Sequence, residues 1–283
     1  MSTTIDTAFT KQFEAEVHVA FQRKGSKLRG TIRTKTVSNA KDTTFQKYGT
    51  GFASTKQKHG LVQVSDIAHT NVTATLADYY FGEWVDNLDE LKTNIDERQL
   101  AAEAGAMALG RKTDELIIAA LDSQSTNSTT MGTASKAAFK NSVLSSIGKL
   151  NAADVDDDGE RWGWVSPVGW SWLMLIDEFV RADYIGNDML PWKGGFMQVK
   201  YWAGVKWCQH SGLSISSNNR TMHLYHKKIA GHAIGSEAKA DITWHGDRQA
   251  HFIANSISQA AVLIDGTAGC KMVLDESQAL ATS

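Results

Sequence analysis

The run Asp154-Val155-Asp156-Asp157-Asp158-Gly159 sets three carboxylates at alternate positions ahead of a glycine. That is how a calcium-binding loop begins, with oxygens converging on a hard cation. The loop's twelfth position should be a bidentate glutamate, and here it is Val165. Residues 161–166 read as a strand rather than an exiting helix, so the run is expected to be an acidic turn at a helix end. Ser146-Ile147-Gly148-Lys149 has the spacing of a serine nucleophile with a lysine partner, but the S-D-N and K-T-G companions are missing. Ile147 and Leu150 mark that segment as the buried side of a helix. His223, His226 and His232 lie close in sequence, with His245 and His251 further on. A zinc site needs spaced ligands and a supporting shell, and there is no H-E-x-x-H. In a strand, His223 and His226 point to opposite faces because their separation is odd. Ordinary surface or partly buried histidines are expected. No Walker loop, G-x-G-x-x-G or G-x-S-x-G occurs. These residues predict no catalytic site, no metal and no cofactor.

Seven of the nine tryptophans (Trp162, Trp164, Trp170, Trp172, Trp192, Trp202, Trp207) fall within 162–207. Few cations interleave them, so an aromatic core or interface is expected rather than a base-stacking platform. Cys208 and Cys270 fit no disulfide or zinc spacing, which points to a reducing compartment. No window has the ~18 uninterrupted apolar residues of a membrane span, and Met1–Thr10 does not read as a signal peptide.

Charge is uneven. Residues 1–60 hold eleven Lys or Arg against four acids, although the whole chain carries −2. A basic arm on an acidic body suits self-association or a nucleic-acid arm.

The elements that would carry these residues follow from periodicity. Ile5, Phe9, Phe13, Val17 and Phe21 form one helical stripe. Thr43–Lys47 and Val72–Leu76 read as strands flanking a Gly/Ser/Thr/Lys-rich stretch, so 41–76 is a long hairpin with a mobile tip. It has too few apolar residues to pack alone and is expected to lie on another subunit. Asp96 is a plausible N-cap, with Gln99 as its capping-box partner, for a helix running to about Leu121. The interior glycines of that helix imply close packing against a sheet. Arg111, Lys112, Asp114 and Glu115 are expected to pair on its exposed side. Ser123–Thr133 reads as a loop. Lys136–Leu150 reads as a helix burying Phe139, Val143, Leu144, Ile147 and Leu150. Trp162–Ser166 is a strand, Trp170–Val180 a helix and Gly186–Gly195 a loop. Phe196–Cys208, His223–Gly235 and Ile242–Trp244 are strand-like, and Gln249–Ile257 is a short helix or a strand. Ala260–Asp265 and Cys270–Asp275 form a terminal strand pair.

In this order, the elements resemble a tailed-phage major capsid protein of the Hong Kong 97-type fold. The resemblance rests on "DERQLAAEAGAMALGRKTDELIIAAL", "WVSPVGWSWLMLIDEF", "HLYHKKIAGHAIG" and "SISQAAVLIDGTAGCKMVLDES" and on their order along nearly the whole chain. It implies an α+β fold. Residues 1–40 would be an N-terminal arm and 41–76 an extended loop. Residues 77–158 would be a peripheral domain with a spine helix at about 96–121. Residues 159–250 would be an axial domain, and 251–283 would return to the peripheral domain. The implied function is a non-enzymatic icosahedral shell, assembled in the host bacterial cytoplasm and becoming the virion capsid. Its partners would be further copies of the chain, as hexamers and pentamers, a portal protein and a separate scaffolding protein, with a decoration protein as an option. The shell would enclose double-stranded DNA without sequence-specific binding and without membrane contact. Noncovalent contacts are expected between the loop lysines Lys47, Lys56 and Lys58 and a neighbour's Asp86, Asp89, Glu90 or Glu97. The alternatives are an encapsulin-like nanocompartment shell and a nucleic-acid-binding protein using the basic arm.

Overall fold

The computed structural model describes residues 25–86, 97–130, 135–180 and 199–277. The N-terminal stripe, the Asp96 cap, the 186–195 loop and Trp192 lie outside the described residues. In chain order the elements are β1 (Arg33–Thr36), β2 (Asp42–Tyr48), β3 (His69–Thr75), β4 (Ala77–Asp86) and α1 (Glu97–Asp122). β5 (Ser128–Thr130), α2 (Lys136–Ala152), β6 (Arg161–Val165), α3 (Pro167–Leu173) and α4 (Asp177–Val180) follow. The last are β7 (Lys200–Trp202), β8 (Val205–Gln209), β9 (Ile215–Ser216), β10 (Asn219–His226), β11 (Ala230–His245), β12 (Ala250–Leu263) and β13 (Gly269–Asp275).

The chain divides into two compact units. In the smaller, made of 78–111 and 237–257 among the described residues, Val85, Ala101 and Ile253 form a small core. Helix and sheet meet closely there. A Cβ on Gly105 would fall 2.6 Å from the Phe81 ring and 2.1 Å from the Asn255 amide nitrogen. That amide donates to the Ala102 carbonyl at 2.8 Å. The helix glycine is therefore required by the approach, which offsets its propensity cost of about 1 kcal/mol.

The larger unit comprises 26–77, 112–236 and 258–277. Its seven-stranded sheet is ordered β5-β13-β10-β6-β8-β7, with β9 beside β10. The core gathers Trp164, Trp172 and Trp207 with Phe139, Ile176, Phe179, Tyr225 and Met272. Trp162, Trp170 and Trp202 pack against it, so the tryptophan cluster is core. α2 starts where the Ser135 hydroxyl accepts the Ala138 N–H at 3.2 Å. It buries Phe139, Val143, Ile147 and Leu150, but Leu144 is exposed. Ser146 takes the expected place in the stripe, its hydroxyl turned back onto the Ser142 carbonyl.

Three further expectations are corrected. The helix expected over Trp170–Val180 starts earlier, with Pro167 at its first position and Ser166 capping the Gly169 N–H at 2.9 Å. It then breaks into α3 and α4, because tighter turns through Leu175 and Ile176 bring Ile176 and Phe179 into the core beside Trp172 and Leu173. The 123–133 loop contains β5, which pairs in parallel with β13. The terminal segments do not pair with each other. β12 lies between β11 and β4, whereas β13 pairs antiparallel with β10. A turn at Gly266–Ala268, capped by Asp265 accepting the Thr267 N–H, carries the chain from one sheet to the other.

Candidate functional site

β2 and β3 form an antiparallel ladder from Asp42↔Thr75 to Tyr48↔His69. The ladder falls within 41–76, the stretch expected to be a long hairpin, and its two ends behave differently. At the root, the fully buried Phe45 ring lies over Gly231, where a Cβ would come within 2.5 Å of it. Val37, Ala74, Ala233 and Ala260 complete the cluster, and the Arg33 guanidinium sits 5.7 Å from the Phe45 centroid. Beyond Gly49, whose N–H bonds the Ala68 carbonyl at 2.8 Å, the chain runs irregularly to a turn at Gly60. Phe52 is 59% exposed, Leu61 97%, Val62 69% and Val64 84%.

The expected contact residues are distributed as follows. Lys47 pairs with Asp265 of its own chain at 2.8 Å. Lys56 and Lys58 are exposed near the tip, and neither forms an ion pair among the described residues. Asp86 closes β4, exposed, and Glu97 opens α1, half-buried. Asp89 and Glu90 lie outside the described residues.

Asp114 departs from the surface pairing expected of it. Lys112 and Glu115 pair at the surface at 3.2 Å as expected, but Asp114 is wholly buried. Its carboxylate accepts the Ser26 hydroxyl at 2.6 Å and the backbone N–H groups of Lys27 and Leu28 at 3.1 Å. His210 Nε2 lies 3.0 Å away, while His210 Nδ1 accepts the Gly212 N–H. The second bond places the imidazole proton on Nε2, facing the carboxylate. Burial pushes the Asp114 carboxyl up, but the bonds from His210, Ser26, Leu28 and Lys27 outweigh it and hold it below its ordinary value. The only sequence signal was a helix carboxylate one position off the charged face.

The histidines are also more deeply placed than expected, since His210, His223, His226 and His232 are all buried. Ligand atoms of Asp156, Asp158 and His226 lie within 4.8 Å of one another. Their donors and acceptors are matched within the chain. Lys228 Nζ sits 2.6 Å from Asp156, and His226 Nε2 lies 3.0 Å from Asp158. His226 Nδ1 accepts the Lys228 N–H, which keeps the proton on Nε2. The Arg161 guanidinium fills the turn, donating to the Asp156 and Val155 carbonyls and to Asn151. Gly159 turns with φ +78°, as a calcium loop's glycine would, but Val165 is buried in β6. The run is an acidic turn at the end of α2 whose counter-cations are side chains.

A long loop with an anchored root and an apolar, uncovered tip is a feature of subunits that assemble. The family model described as "Phage capsid protein" matches residues 5–273. The chain belongs to the phage capsid protein family. Solved structures show the same fold across the whole length. The capsid of cyanophage P-SCSP1u is 16% identical, with TM-score 0.75, covering 96% of this chain and 94% of that one. The Mycobacterium phage Che8 structure is 14% identical, with TM-score 0.71 and coverage of 97% and 99%. The capsid of Ralstonia phage GP4 is 12% identical, with TM-score 0.70 and coverage of 97% and 98%. No curated protein sequence matches the chain. The phage capsid protein has the Hong Kong 97-type fold and is the major capsid protein that forms the shell. It is a structural protein located in the virion capsid. No described helix is long and apolar enough to cross a membrane.

Proposed function

We propose that the extended loop is the principal clasp of this shell, laying its tip over a neighbouring subunit. The observation that carries this is the tip itself. Leu61 and Val64 expose almost their whole side chains in the single chain, and apolar surface gathered on one projecting segment marks an interaction site. Lys56 and Lys58 precede those residues at the tip and pair with the neighbour's Asp86, Asp89, Glu90 or Glu97. Lys47 fixes the root by holding Asp265. Each contact is weak, and the closed shell adds many of them.

The shell encloses double-stranded DNA without reading its sequence. The acidic balance beyond residue 60 supports this, since a wall of like charge lets the genome slide. A portal protein, a separate scaffolding protein and assembly in the bacterial cytoplasm complete the reading, with a decoration protein as an optional outer partner. Charge reversal at both tip lysines (Lys56→Glu with Lys58→Glu) should abolish particles while leaving the subunit's circular dichroism and melting unchanged. Normal particle yield from that double variant would overturn the clasp.

A further inference from the structure

The distal half of β11 has an outer edge with no partner strand among the described residues. β1 covers the outer edge of β11 only at Gly231–Ile234, and β12 borders its other edge. Among the described residues, no strand pairs with the outer edge from Ala238 to Trp244. All seven of these residues are exposed, including Ile242 at 48% and Trp244 at 44%. An open edge of this length with large apolar side chains is a template for strand addition.

The backbone groups on that edge can be identified. The Ile234 carbonyl accepts the Val37 N–H at 2.8 Å, so Ile234 faces the outer edge. Alternate residues of a strand turn N–H and C=O to the same side. The residues facing outward are therefore Ala238, Ala240 and Ile242. The side chains alternate as well. The Trp244 ring meets that of His251 at a tilt on one face, and His245 meets Trp84 and Phe252 on the other. Ala238, Ala240, Ile242 and Trp244 thus form one apolar face, with Lys239, Asp241 and Thr243 opposite. Asp241 accepts a hydrogen bond from Thr243. Lys239 and Asp241 form no ion pair among the described residues.

We propose that two copies of the chain join through an antiparallel, two-fold pair of these strands centred on Ala240. Ala240 then exchanges both backbone hydrogen bonds with Ala240 of the second copy. Ala238 lies opposite Ile242, so a small side chain meets a large one twice. Lys239 lies opposite Asp241 in the closer-spaced, non-hydrogen-bonded pair, also twice. Among centres on the outward-facing residues Ala238, Ala240 and Ile242, only this one sets Lys239 against Asp241 and keeps the contact within 238–244, clear of the edge that β1 covers. A two-fold contact is self-complementary, so one sequence supplies both sides. The occupant is a second copy rather than another protein because the strand's charges complement their own reversal and the chain forms a shell of identical subunits. This contact does not depend on the loop clasp.

The test is a symmetric cross-link in assembled particles. Ala240→Cys would bring two thiols together across a hydrogen-bonded pair, with Cα atoms about 5.5 Å apart, inside the disulfide range. Cys208 and Cys270 are both buried and give little background. Oxidised Ala240→Cys particles should run as dimers on a non-reducing gel, and Thr243→Cys particles should run as monomers. Particles of Ala240→Cys without dimers, or equal cross-linking from Thr243→Cys, would overturn the pairing. Charge variants give an independent reading. Lys239→Asp alone should cut particle yield about tenfold by facing like charges. Adding Asp241→Lys should restore it, and failure of either step counts against the proposal. Because the Lys56/Lys58 reversal leaves this strand untouched, failure of the clasp and failure of the strand pair are distinguishable.

Discussion

Ser26–Leu28 and the root of the extended loop are both fixed to the larger unit, but by opposite physics. Ser26–Leu28 are held by a buried carboxylate, whose acceptors satisfy one hydroxyl and two backbone N–H groups. The loop root is held by a buried ring over a glycine, with one partly exposed ion pair beside it. The polar anchor is directional and fixes a backbone conformation, but its strength depends on charge. The apolar anchor is insensitive to charge and depends on volume. The larger unit therefore holds these two segments by contacts that respond to different perturbations.

The largest expected effect lies at the ring. Phe45→Ala should destabilise the subunit by about 3 kcal/mol, seen in thermal unfolding, and should cost assembly through a loosened loop. The same loss at pH 7 and pH 4 would confirm an apolar anchor.

The carboxylate should show the contrary behaviour. The Asp114 carboxyl is depressed in the folded state. Its contribution is therefore complete above the unfolded value of about 3.9 and fades as pH falls through the lower folded value. Hydrogen-exchange protection of the Lys27 and Leu28 amides should hold at pH 5 and fall below about pH 4. Protection unchanged at pH 2 would remove the distinction between the two anchors.

Lys47→Ala sharpens the comparison from the weak side. Its ion pair with Asp265 is partly exposed, so the expected cost is under about 1 kcal/mol and should shrink in high salt. The smallest effect on folding belongs to the tip. Leu61→Ser with Val64→Ser should shift subunit stability by no more than about 0.5 kcal/mol, while sedimentation shows far fewer particles. A large drop in subunit melting would mean that the tip packs on its own chain.

Much of this was legible in the sequence because it is local. Periodicity and turn residues placed α1, α2, β6 and the β2–β3 ladder within a few residues of their observed ends. Gly105 signalled close packing because its cost inside a helix needed an offset. The errors fell where a distant partner decides. Leu144 and Ser146 exchanged places because the stripe was read one residue wide of the core. α3 and α4 separated because core packing overrode a continuous helical pattern. Local sequence groups Asp114 with its charged neighbours, because nothing nearby announces Ser26 or His210.

The sequence by itself determined the order and type of the elements, the glycine-punctuated loop and the charge imbalance, since each depends on bonds and side chains a few residues apart. Tertiary structure alone decided that β13 joins β10 rather than β12, that Lys47 meets Asp265, and that no described strand pairs with the distal outer edge of β11. Strand partners and buried charges are set by contacts between residues far apart in the chain. Local periodicity tells a strand which face is apolar, but it does not tell the strand which neighbour will lie along its edge.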